Sequence, residues 1–157
     1  MSNALKQILF GGMIMMTATT ANANDLKLTI VNPQTLYNPT PNGYSHAVVV
    51  SGANRIAYIS GQGGEDATGK LSPDFAVQVK QAYANLRAAL DGIGAKPNQV
   101  IKLTVFVVDH DMSKLGPLTQ NVMETFGGAL PAQTLVPVPK LAVDGMQFEV
   151  EAVVALE

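Results

Sequence analysis

Apolar and polar positions change period several times beyond residue 24, and each change marks a predicted element. Lys27 to Val31 reads as a short strand, and residues 32–43, rich in Asn and Pro, read as an ordered loop. His46 to Val50 and Arg55 to Ser60 are apolar runs joined by Ser51-Gly52-Ala53-Asn54. Gly and Asn at turn positions between two such runs predict a hairpin. Residues 61–69 contain four glycines and two acids, so they read as a loop.

The period then switches to that of a helix. Phe75, Val79, Ala82, Leu86, Leu90 and Ile93 recur at spacings of three and four, an amphipathic stripe. Ser72 reads as its N-cap, Pro73 as its first helical position and Asp74 as an acid at the positive end, with Gly92 and Gly94 as the stop. Val100 to Val108 is a long β-branched run and predicts a central strand. Leu115, Leu118, Val122 and Phe126 share one face of a second helix from about residue 113 to 126. Thr134 to Val138 reads as a short strand that Pro137 and Pro139 push towards an edge or interface. In the last strand, Phe148, Val150, Ala152, Val154 and Leu156 point one way, and Glu149, Glu151, Val153 and Ala155 the other. Strands and amphipathic helices mixed in this order predict an α+β domain, a mixed sheet with two helices packed on one face. Several strands are apolar on both faces, so the uncovered face is expected to meet another subunit.

Composition narrows this picture. Lys6, the apolar run from Ile8 to Met16 and Ala21-Asn22-Ala23 have the layout of a secretory signal peptide over residues 1–23, and the run is too short to span a bilayer. The expected mature domain is residues 24–157, periplasmic or secreted, with no membrane association after cleavage. It carries nine basic and twelve acidic residues, a charge of −3, with no basic patch to attract a nucleic acid. There is no cysteine, which excludes thiol nucleophiles, thiolate metal sites and disulfides.

Six motifs in order resemble the Rid family (the YjgF or RidA proteins). They are Gly43-Tyr44-Ser45-His46-Ala47, Ser60-Gly61-Gln62, Asn85-Leu86 in the first helix, the strand Val100 to Asp109, Pro131-Ala132, and Phe148-Glu149-Val150-Glu151-Ala152. The resemblance implies a chorismate-mutase-like homotrimer with ligand clefts between subunits. In deaminase members those clefts hydrolyse enamines and imines made from amino acids, with no metal or cofactor. Carried over, Tyr44 would line the cleft, Ser60 and Gly61 would contact the ligand near its reacting end, and Gln120 would sit on the neighbouring helix. Glu149 would orient or deprotonate the attacking water. Gln133 stands where deaminases place an arginine that holds the substrate carboxylate, and Leu135 where many members have a cysteine or another small residue.

The change at residue 133 alters the chemistry. Arginine offers a charged, planar fork matched to a carboxylate, whereas glutamine offers a neutral amide. The expected function is therefore binding of a small polar metabolite in inter-subunit clefts, without standard deaminase activity or with non-standard hydrolase activity. The rival expectations are a deaminase in which Arg55 or Lys140 replaces the arginine, and a holdase acting through its apolar surface. Burial would raise the pKa of Glu149, and nearby Glu151 would raise it further. Gly64 to Lys70 resembles a phosphate-binding loop, but Leu71 replaces the needed Ser or Thr and Glu65 and Asp66 would repel phosphate, so a polar turn is expected. Asp109-His110-Asp111 has metal-ligand residue types, but adjacent side chains at a strand end diverge, so no metal site is expected.

Overall fold

The computed structural model describes residues 25–157; the leader assigned to residues 1–23 lies outside the described residues. Six strands, β1 (Lys27–Val31), β2 (Ala47–Ser51), β3 (Arg55–Gly63), β4 (Val100–Val108), β5 (Ala132–Val138) and β6 (Phe148–Leu156), accompany two helices, α1 (Phe75–Gly92) and α2 (Leu115–Phe126). The main sheet has the order β3-β6-β4-β5. β6 runs antiparallel to both β3 and β4, while β4 and β5 are parallel, with α2 as the crossover that parallel pairing requires. The mixed sheet, the helices and the central β4 agree with the reading of the sequence. So does the position of β5 at an edge, where Pro137 withholds no bond from an inner ladder.

One expected pairing does not form. β2 and β3 are not a hairpin: β2 pairs antiparallel with β1 in a separate two-stranded ribbon, and β3 pairs only with β6. The alternation that marks a strand does not name its partner. Gly52, at φ +73°, opens the connection instead of closing a tight turn. β3 also runs on to Gly63, three residues beyond the expected loop boundary, over a bulge between Ile59 and Gln62.

The helix–sheet core follows the periodicity. Val79, Ala82, Tyr83, Leu86 and Leu90 of α1 are fully buried against Leu103, Val105 and Val107 of β4 and the inward set of β6. Tyr83 stacks on Phe148 at 5.8 Å and meets Phe126 edge-on at 6.4 Å, but its hydroxyl has no hydrogen-bond partner. The cap of α1 differs from expectation. Asp74 is the N-cap, accepting from the Val77 N–H, while Ser72 Oγ accepts from the Asp74 N–H one turn earlier. At the other end Gly94, at φ +70°, donates to Asp91 O and Ala95 donates to Leu90 O, the paired closure of a Schellman ending. α2 begins at Leu115, after a 3-10 turn at Met112–Lys114 that Asp111 caps.

Gln78 is the one fully buried long polar side chain among the described residues. Its Nε2 donates to Ser72 O at 2.7 Å and Gly145 O at 2.8 Å, and its Oε1 accepts from the Gln147 N–H at 2.8 Å. α1 is thereby fastened to the loop before it and to the loop that delivers β6.

Candidate functional site

Strand register divides the expected site residues between the two faces of the sheet. Gln133 lies beside Leu103, and Leu135 beside Val105, both core residues on the helix side. Leu135 itself packs against that core. Glu149 lies beside Phe106, on the alternate set that also carries Tyr58, Val153, Lys102, Thr104 and Glu151. Side chains alternate across a strand, so Gln133 and Glu149 leave the sheet from opposite faces of one protomer.

The helix-side group joins Tyr44 to Gln133. Ser45, next to Tyr44, forms a parallel bridge with Ala132. Its N–H donates to Pro131 O at 2.9 Å and its buried Oγ to Leu130 O at 2.7 Å. Gly43 permits this approach, because its φ is +80° and a Cβ there would press on Val122 at 3.3 Å. The half-buried Tyr44 meets Tyr37 and His46 edge-on, at 6.4 and 5.8 Å, and His46 Nε2 is held 2.8 Å from Tyr37 O. Gln133 Oε1 is buried with no hydrogen-bond partner. An unpaired buried acceptor costs about 1–3 kcal/mol, so this oxygen is suited to a ligand donor.

The open-face group joins Ser60, Gly61 and Glu149. A Cβ on Gly61 would lie 1.8 Å from Glu149 Oε1 and 2.5 Å from its Cδ, so the carboxylate rests directly on the glycine backbone. Gly63 plays the same part for Glu65, whose Oε2 would stand 2.4 Å from an added Cβ. Partial burial raises the pKa of Glu149, and the carboxylates of Glu65 and Glu151 raise it further. Glu149 therefore keeps its proton to higher pH than an ordinary carboxyl does. Glu65 was not foreseen as part of this group. Its loop reads as a polar turn, and the continuation of the chain just past Gly63 at the end of β3 sets it beside Glu149. Asn85, on α1, fixes the turn by donating to Gly63 O at 3.0 Å and Glu65 O at 2.8 Å.

The remaining candidates stand apart from both groups. Gln120 is exposed on α2 and donates to Glu124 Oε1 at 2.8 Å. Arg55 Nε donates to Glu157 O at 3.1 Å, and Lys140 pairs with Asp144 at 2.7 Å. Within one protomer neither is hydrogen-bonded to the Gln133 amide oxygen. Lys102 lies on the open face with its Nζ donating to Thr134 Oγ1, and burial lowers its pKa. The turn at 64–70 is organised by Asp66, whose Oδ1 accepts from the Thr68 and Lys70 N–H groups, which is the structural role expected of it.

Residues 36–156 match the family described as endoribonuclease L-PSP. The chain is 38% identical over 112 residues to a 2-iminobutanoate/2-iminopropanoate deaminase of Mus musculus, covering 70% of this chain and 78% of that one. It is 34% identical over 118 residues to a RutC family protein of Pyrococcus horikoshii, covering 73% of this chain and 89% of that one. Among solved structures, a Rid family protein of unknown function from Yersinia pestis superposes with a TM-score of 0.78 at 33% identity, covering 82% of this chain and 98% of that one. RidA from a Psychrobacter species superposes with a TM-score of 0.60 at 30% identity, covering 72% and 88%.

Proposed function

The chain belongs to the Rid family, and from that premise we propose that it binds a small, polar, uncharged metabolite in clefts between the subunits of a homotrimer, in the periplasm or outside the cell. One observation carries this reading. Gln133, tethered beside Tyr44, offers a buried amide oxygen that lacks a donor, at the place where the family's deaminases present a cation. A ligand N–H or O–H satisfies that oxygen, whereas a carboxylate finds no charge-assisted, two-pronged donor in a neutral amide. The division of Gln133 and Glu149 between opposite sheet faces supports a composite cleft, because one protomer presents only half of the set.

Hydrolysis of a neutral imine or enamine is the second reading, favoured by Glu149. Its carboxyl sits over the Gly61 backbone with a raised pKa, placed to take a proton from water and return it to a leaving amine. Ser60 and Gly61 contact the reacting end in this reading, and Leu135 narrows the floor of the cleft.

Ammonia release from freshly generated 2-iminobutanoate tests the proposal. The expected result is a rate at least tenfold below that of the mouse deaminase to which the chain is similar. Equal rates would mean that the amide holds the anionic substrate as well as a guanidinium does, and the proposal would fall.

A further inference from the structure

The ribbon of β1 and β2 is the least satisfied part of the fold. An isolated two-stranded sheet is marginal in water, and here both β2 and β3 keep a free backbone edge. The ribbon's apolar face, Leu28, Ile30 and Val48, borders a cavity of about 680 Å³ between it and the body. Large apolar side chains flank the two free edges: Val49 is 56% exposed, Ile56 45% and Tyr58 81%.

These edges are complementary. Two antiparallel strands related by the pattern around Gly52-Ala53 would pair Val49 with Ile56 and Ala47 with Tyr58. That register joins the exposed apolar residues on one face and sets Val48 beside Ala57 on the helix side. Within one copy the pairing is absent, because Ser45 fastens the start of β2 to β5, at the opposite edge of the sheet from β3. An identical chain carries the same free edge.

We propose that β2 of one copy pairs antiparallel with β3 of a second copy, so that the β1–β2 ribbon is exchanged between subunits. The occupant of each free β3 edge is the ribbon of a neighbour, and three such exchanges close a ring. Past Ala47 the paired strand leaves its ladder, and Ser45 and Tyr44 come to the bulged end of β3 that carries Ser60 and Gly61. The exchange therefore carries the Tyr44–Gln133 group of one subunit to the Ser60–Gly61–Glu149 group of the next. This deepens the composite-cleft reading above, but the strand pairing is measured without any ligand, so either can fail alone.

The natural absence of cysteine makes the test clean. Val49→Cys and Ile56→Cys are made as separate variants and co-expressed, and as one double variant. Directly opposed antiparallel residues lie within disulfide reach. Under mild oxidation, the expected result is a two-chain product linked through residues 49 and 56, identified by mass spectrometry of the joined peptides. The double variant is expected to give covalent chains of two or more. A disulfide confined to single chains of the double variant would show a hairpin within each copy and overturn the proposal. No link at all in folded protein would overturn it equally. If either substitution prevents folding, Ala47→Cys with Tyr58→Cys reads the same register from two exposed positions.

Discussion

Gln133→Arg is expected to raise ammonia release from 2-iminobutanoate by about thirtyfold to a thousandfold over the unmodified protein. The argument is a difference of two binding groups at one place. A charge-assisted hydrogen bond contributes about 1.5–3 kcal/mol and a fork-shaped guanidinium makes two, so the exchange is worth roughly 2–4 kcal/mol towards a carboxylate. The same substitution removes the amide oxygen that now lies buried without a donor. The neighbouring frame is already built: Ser45 and Ala132 hold the Tyr44 segment against the strand, and Leu135 is packed into the core. The gain should therefore appear mainly as a lower KM. Gln133→Lys should give a smaller gain, because a single ammonium cannot engage both carboxylate oxygens in parallel. If neither variant gains activity while circular dichroism and oligomer size are unchanged, the cleft lacks more than the cation.

Gln78→Leu is expected to destabilise the protein by about 3–4 kcal/mol, the largest effect foreseen for a residue outside the site. Leucine fits the volume, so packing is not the cause. Two carbonyls, at Ser72 and Gly145, and one N–H, at Gln147, lose their partner together around a fully buried side chain. Each stranded group costs about 1–3 kcal/mol, partly relieved by loop movement. Urea unfolding measures the effect as a lower midpoint at unchanged slope. A loss under about 1 kcal/mol would mean that the loops at 72 and 145 find other donors. Because the second loop delivers Phe148 and Glu149, partial loosening should also disturb the carboxylate over Gly61.

The elements that could be read from the chain are those whose burial is set by their own side chains. The β-branched run at 100–108 and the strict alternation at 148–156 fix β4 and β6 to the residue, because each strand is buried on a face defined by its own pattern. The hairpin expected around Gly52 fails for a different reason. Pairing is decided by which edge is reachable, and the tie from Ser45 to Leu130 and Pro131 spans 85 residues of chain, which local pattern cannot register. The cap of α1 shifts from Ser72 to Asp74 because both can accept an N–H, and the choice rests on where the turn before the helix ends. The same limit applies to the candidate site. Motif residues supply Tyr44, Ser60, Gly61, Gln133 and Glu149, but their sorting onto two faces depends on the register of β4 with β5 and β6. Glu65 has no motif of its own, and only the glycines at 61 and 63 hint that something rests on that stretch of backbone.

The unpartnered hydroxyl of Tyr83 makes the core sensitive to alkali. Burial pushes the pKa of this phenol up, so the native protein holds its proton where the unfolded chain has released it. Above the ordinary phenol value of about 10, unfolding is therefore drawn forward as pH climbs. Ultraviolet difference spectra should show this phenolate appearing only as the chain opens, and Tyr83→Phe should abolish that last step. A side chain with no part in ligand binding thus becomes an intrinsic optical reporter of cooperative unfolding.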